Sequence, residues 1–180
     1  MVFIIKKIKN LELDLAYEKA MQELDYFFQI NWKNNRPNLM LVEDRKTIDA
    51  LKGKTTENWL VGWTNARDVY LLSPRHFEKE SNHKYTEEEY FALIKHELTH
   101  SFSNMVSDFA KKPIWLIEGI SIFLSGQNKF KSKPSTLKSF IEFYENNQKE
   151  VYNESGFAIE FLVNKYGRNE LPNRGRAPGY

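Results

Sequence analysis

Residues 96 to 100 read His96-Glu97-Leu98-Thr99-His100, a spacing that can hold a metal ion if the segment is helical. Four residues advance an α-helix by about 400° and roughly 6 Å, so His96 and His100 project from nearly one face and both imidazoles can reach a single ion. Glu97 lies about 100° around from His96, close enough to handle the proton of a water on that ion without entering its coordination shell. Zinc suits such a site, because it takes imidazole nitrogen at about 2.0–2.1 Å and tolerates an open tetrahedral position. One zinc per chain is the expected cofactor.

The surrounding residues specify the helix that this chemistry needs. Thr86-Glu87-Glu88-Glu89 is a Ser/Thr-x-x-Glu capping box, and Tyr90, Phe91, Leu93, Ile94, Leu98 and Phe102 follow at helical spacing, which predicts a helix over 87–104. A third ligand is required, and the chain has no cysteine to supply it. Downstream, residues 113–126 are apolar almost all round and open on Pro113, the pattern of a buried helix, with Glu118 as the sole charge. A carboxylate buried there needs a cation, which is either a zinc ion or a Lys or Arg brought in from elsewhere; the alternative is that this face of the helix is partly solvated. Asp108 is the other candidate ligand, without a comparable burial argument. Ser103 and Val106 stand where a longer metal motif would need Gly and a third His, so the metzincin pattern does not apply.

His96-Glu97-Leu98-Thr99-His100, followed eighteen residues later by Glu118 within Trp115-Leu116-Ile117-Glu118-Gly119, resembles the gluzincin metallopeptidases, in particular the thermolysin-like and aminopeptidase-like domains of the MA clan. The likeness covers roughly residues 37 to 167 and extends to Tyr152-Asn153-Glu154-Ser155 ahead of a closing helix that ends Lys165-Tyr166-Gly167. The resemblance implies a zincin-like fold and a hydrolase that cleaves peptide bonds in a peptide or protein substrate. It implies zinc ligation by His96, His100 and Glu118, with a metal-bound water activated by Glu97 acting as general base and then as proton shuttle. It also implies Tyr152 as donor to the developing oxyanion, by its place before the closing helix; the alternative for Tyr152 is an aromatic packed at a helix start.

Two departures narrow what the resemblance carries. Thermolysin-like members place an Asp four residues after the ligand glutamate to orient the first histidine, and here that residue is Ile122, so the orienting group must come from elsewhere. The aminopeptidase-like branch has a Gly-x-Met-Glu-Asn strand for the substrate's amino end, and none precedes the helix here. A different class of function stays open, a non-catalytic interaction domain that keeps the gluzincin fold with a structural zinc or none; retention of Glu97 argues for the enzyme. Hydrolysis of a non-peptide amide or ester by the same groups is not separable by motif.

Composition sets the outer bounds. With 180 residues, 41% hydrophobic and 14% aromatic, the chain suffices for one core. Its 26 basic and 24 acidic residues are interspersed, which gives no basic footprint for nucleic acid. Met1-Val-Phe-Ile-Ile-Lys-Lys-Ile is too short an apolar run for a signal peptide, and no stretch approaches the ~18 apolar residues of a membrane span. A cytoplasmic location is the resulting expectation. Oligomeric state is not encoded in any pattern found.

The elements expected around the site are a helix over 11–31, a strand over 38–43, a short helix over 46–51 stopped by Gly53, and a hairpin of strands 59–64 and 68–72. The edge of that hairpin can hold an extended substrate by main-chain hydrogen bonds. His76 and His83 read as surface residues, and Lys129, Lys131 and Lys133 as a solvated loop. A short amphipathic helix carries Leu137, Phe140, Ile141 and Tyr144, and a final helix covers 151–166. Together these predict an α+β domain over residues 1–167, with a small mostly antiparallel sheet packed on the metal helix and a helical half supplying Glu118, and a flexible tail over 168–180.

Overall fold

A computed structural model describes residues 4–65, 68–106, 113–138 and 148–167. The predicted helix around Phe140, Ile141 and Tyr144, the candidate ligand Asp108 and the tail lie outside those residues. The described chain is a mixed α+β structure in the order α1 (Leu11–Phe28), β1 (Leu39–Val42), α2 (Arg45–Lys52), β2 (Gly62–Asn65), β3 (Asp68–Leu72), α3 (Glu87–Val106) and α4 (Ile114–Ser125). A 3-10 turn at Gln127–Phe130 and the closing helix α5 (Gln148–Tyr166) complete it. None of the described helices is long and apolar enough to cross a membrane.

Local chemistry accounts for most of the helix ends. Asn10 caps α1 by accepting from the Leu13 amide, and Asp44 caps α2 by accepting from Thr47. The Thr86 capping box is made as expected, with the Glu89 amide donating to Thr86 Oγ1 at 3.2 Å and the Thr86 hydroxyl returning to Glu89 Oε2 at 3.0 Å. Helix α1 stops at Phe28, short of the expected residue 31, because Gln29 turns left-handed and the Asp25 carboxylate captures the Trp32 amide at 2.7 Å. Its apolar pattern also divides: Leu13, Met21, Leu24, Phe27 and Phe28 are buried, whereas Leu11 and Leu15 face solvent.

The sheet corrects one expectation. Its order is β1-β3-β2, with β2 and β3 antiparallel (Gly62 opposite Leu71, Asn65 opposite Asp68) but β1 and β3 parallel (Leu39 opposite Val69, Val42 opposite Leu72). It is therefore half parallel rather than mostly antiparallel. The physical reason is the long connection through α2, which returns the chain far enough for a parallel neighbour, something a tight turn cannot do. The hairpin strand is shorter than predicted and begins at Gly62, because residues 57–60 form a turn held by the Arg45 guanidinium, which donates to the carbonyls of Leu60 (2.6 Å), Asn58 (3.3 Å) and Glu80 (2.8 Å).

Helix α3 lies beneath this sheet. Ile94, Leu98 and Phe102 are fully buried with Val69, Leu71 and Leu72 of β3, and the Tyr90 hydroxyl donates to the Leu72 carbonyl at 2.9 Å. Toward the C-terminal end of α3, Phe102 also stacks on Phe28 of α1 at 5.7 Å between ring centroids and meets Trp32 edge-on at 5.0 Å. Burial against both the sheet and α1 fixes the rotation of α3, and with it the direction in which residues 96 to 100 point.

Candidate metal centre

Glu118 is delivered to α3 by a helix pressed against α5. A methyl group at Gly119 would sit 2.7 Å from the Ser155 carbonyl oxygen and 2.8 Å from Ile159 Cγ1, and one at Gly156 would collide with Ile122 and the Asn128 side chain. Two glycines thus let α4 and α5 approach closely, which sets the depth of the residue next to Gly119. Helix α4 is not buried all round as expected. Its last two turns, Gly119 to Ile122 and Ser125, are buried, but Ile114 is exposed and residues 115–118 are half-covered, because this end opens onto the site.

The three candidate ligands converge. His96 Nε2 and His100 Nε2 are 3.2 Å apart, His96 Nε2 is 3.4 Å from Glu118 Oε2, and His100 Nε2 is 3.8 Å from Glu118 Oε1. Four-coordinate zinc with bonds of about 2.0–2.1 Å requires donors about 3.3 Å apart; taking one atom from each residue, the three lie within 4.8 Å of one another, so a small rotation of the Glu118 carboxylate brings the set to that spacing. Among the described residues this is the one group of three or more such donors close enough to share an ion. No lysine or arginine pairs with Glu118 within ion-pair distance there; its partners are the two imidazoles.

Electrostatics of the metal-free site agree with the geometry. Burial alone would raise the Glu118 carboxyl, but the His96 hydrogen bond, the charges of His100 and His96 and the more remote Lys131 together hold it below the usual carboxylate range. Burial likewise pulls the imidazoles down. In His96 it is outweighed by the Glu118 hydrogen bond and the Glu97 and Glu118 charges, so its pKa is raised, whereas His100, next to a charged His96, is pushed down to about 4.

Glu97 behaves differently from Glu118. Its side chain is buried against β2, where the Thr64 hydroxyl lies 3.0 Å from Oε2 and 2.8 Å from the Glu97 main-chain oxygen, and where Gly62 leaves room: a Cβ there would be 3.0 Å from Glu97 Oε1. Burial dominates, with Glu118 adding repulsion, and the carboxyl is pushed up to about 7 despite His96, Thr64 and Lys52. A carboxyl poised near neutrality beside three metal donors can both take and return a proton.

Tyr152 comes to the same region by a different route from the one expected. Helix α5 begins at Gln148, so Tyr152 lies within the helix rather than before it, because the helical run extends N-terminally by about one turn. Its ring sits 6.3 Å from that of Trp59, and burial, followed by the charges of Glu118 and Glu97, raises the phenol above its ordinary range. Lys131 also departs from the solvated loop foreseen for it: its ammonium donates to the Tyr152 carbonyl at 2.5 Å, and burial lowers its pKa against the pull of Glu118. His76 and His83 stay outside the site, bonded to the carbonyls of Glu43 and Trp59.

Besides Thr64, which bonds Glu97, two residues behind the imidazoles escaped sequence reasoning. Gln127 Oε1 lies 2.9 Å from His96 Nδ1, and Ser121 Oγ lies 3.3 Å from His100 Nδ1. Ser121 carried a signal, being three residues after Glu118 and so on the same helical face. Gln127 carried none, since it reaches α3 only because Gly126 adopts φ +78° and folds the chain back at the end of α4. Comparison with protein-family models, curated proteins and solved structures finds no match to this chain.

Proposed function

We propose that this protein is a zinc-dependent peptidase with a zincin-like fold of gluzincin type, in which His96, His100 and Glu118 hold the ion and Glu97 is the general base. The reading rests on one observation above others: three donors from two helices lie within 4.8 Å of one another, with a buried carboxyl of raised pKa one residue from the first. When bound, zinc supplies a Lewis acid that polarises the scissile carbonyl and makes water acidic near neutral pH.

The protein's own groups then divide the remaining work. Glu97 takes the proton of the attacking water and delivers it to the departing amine nitrogen, a cycle suited to a carboxyl pushed up to about 7. Thr64 fixes the Glu97 carboxylate through Oε2. Tyr152, kept protonated by its raised pKa, remains able to donate a hydrogen bond to the oxyanion. Strand β2 is an edge of the sheet, so an extended peptide can add to its free side above Glu97.

The test is zinc content together with turnover of a mixed peptide library by wild type and Glu97→Gln. About one zinc per chain in both, with turnover lost in the variant, is expected. Zinc without peptide turnover in wild type would instead favour the interaction domain with a structural ion, and no zinc after reconstitution would remove both.

A further inference from the structure

We propose that Gln127 and Ser121 are positioning residues that hold His96 and His100 in the Nδ1–H tautomer through neutral acceptors, aiming both Nε2 atoms at one ion. The proposal rests on the peptidase reading for its metal and on three hydrogen bonds for its geometry.

The Ser121 hydroxyl has one proton, and that proton has its own destination: Oγ lies 3.1 Å from the Ile117 carbonyl, which can only accept. Its lone pairs are left to receive a proton from His100 Nδ1 at 3.3 Å. His96 Nδ1 meets Gln127 Oε1 at 2.9 Å. The amide must present its oxygen, because Nε2 of His96 faces Nε2 of His100 and the Glu118 carboxylate, and a nitrogen that gives its lone pair to an ion there carries its proton on the opposite side. Each ring is thus held from behind by an acceptor, His100 by Ser121 on α4 and His96 by Gln127 in the turn that follows Gly126.

Both acceptors are uncharged. A carboxylate behind an imidazole makes the ring a stronger donor; an amide or hydroxyl fixes its direction with less gain in basicity. Residue 127 therefore sets metal affinity in both directions, upward when charged and downward when apolar.

Zinc dissociation constants measured by competition with a chromophoric chelator test this in wild type, Gln127→Glu, Gln127→Leu and Ser121→Ala, with thermal melts to establish that each variant folds. Gln127→Leu is expected to weaken zinc binding by about 10- to 100-fold, Gln127→Glu to bind at least as tightly as wild type, and Ser121→Ala to weaken binding less than Gln127→Leu does. Long-range proton–nitrogen NMR of the imidazoles in zinc-loaded protein supplies the second readout. A proton on Nδ1 of both rings in wild type, redistributed in His96 by Gln127→Leu, is the expected result. Equal affinity in the Glu and Leu variants, or wild-type affinity in Gln127→Leu, overturns the proposal and leaves the peptidase reading standing; failure of wild type to take up zinc sinks both.

Discussion

Gly119→Ala probes the link between helix packing and the metal centre. The added methyl would lie 2.7 Å from the Ser155 carbonyl oxygen and 2.8 Å from Ile159 Cγ1, against an unstrained separation of about 3.5 Å, so α4 must retreat from α5 by about 0.8 Å or deform. Overpacking of this kind costs about 1–3 kcal/mol, offset by the roughly 1 kcal/mol that Ala gains over Gly inside a helix. The net expectation is a loss of about 0–2 kcal/mol, small enough for the protein to remain folded. The effect on the site is larger in proportion. Glu118 is the adjacent residue, and its carboxylate now stands 3.4 and 3.8 Å from the two imidazoles. A displacement approaching 1 Å takes it out of register with a shell whose bonds tolerate a few tenths, and about 100-fold in activity is at stake when a reacting constellation shifts that far. Chemical denaturation gives the first quantity, zinc competition and peptide turnover the second, and Ile114→Ala on the exposed first turn of the same helix is the control. Unchanged zinc affinity and turnover in Gly119→Ala would refute the claim that this contact sets the position of Glu118.

Further outcomes follow from the same geometry. Glu97→Gln should retain zinc and lose about 10²- to 10⁴-fold in turnover, read by steady-state kinetics beside metal analysis. His96→Ala should abolish stoichiometric zinc uptake, measured by metal content after dialysis, because two donors remain of three. Gly62→Ala places a methyl 2.7 Å from Leu71 Cδ2 and 3.0 Å from Glu97 Oε1, so activity should fall more steeply than zinc affinity, which a paired assay separates. Zinc affinity should also decline as pH falls through the raised pKa of His96. The metal must displace the proton held there by Glu118, and the decline approaches about tenfold per pH unit for each proton displaced, checked by chelator competition at several pH values.

What was legible in the sequence was local. The Thr86 capping box and the apolar spacing of Ile94, Leu98 and Phe102 define α3 because their cause lies within the same twenty residues. Glu118 was singled out from the cost of burying a lone carboxylate, and the structure sets it, half-covered, beside the two imidazoles. What depends on distant partners was not legible. The parallel pairing of β1 with β3 is decided by where α2 returns the chain, Lys131 reaches the Tyr152 carbonyl only after α5 docks, and Gln127 faces His96 because a single glycine turns left-handed. Leu11 and Leu15 share the helical spacing of the buried Met21 and Leu24, yet both are exposed, because periodicity marks a helix without saying what covers each of its turns.

The candidate donors are also near neighbours along the chain, all supplied by α3 and α4 without any contribution from the sheet. Closing so short a loop carries little entropic cost, which grows only with the logarithm of its length. An ion held there acts as a staple on two helices, and its stabilising effect should be regional: amide hydrogen exchange would slow in α3 and α4 on zinc loading, while the strands of the sheet keep their unloaded opening rates under conditions of partial unfolding. The centre could then outlast the sheet, and assemble before it.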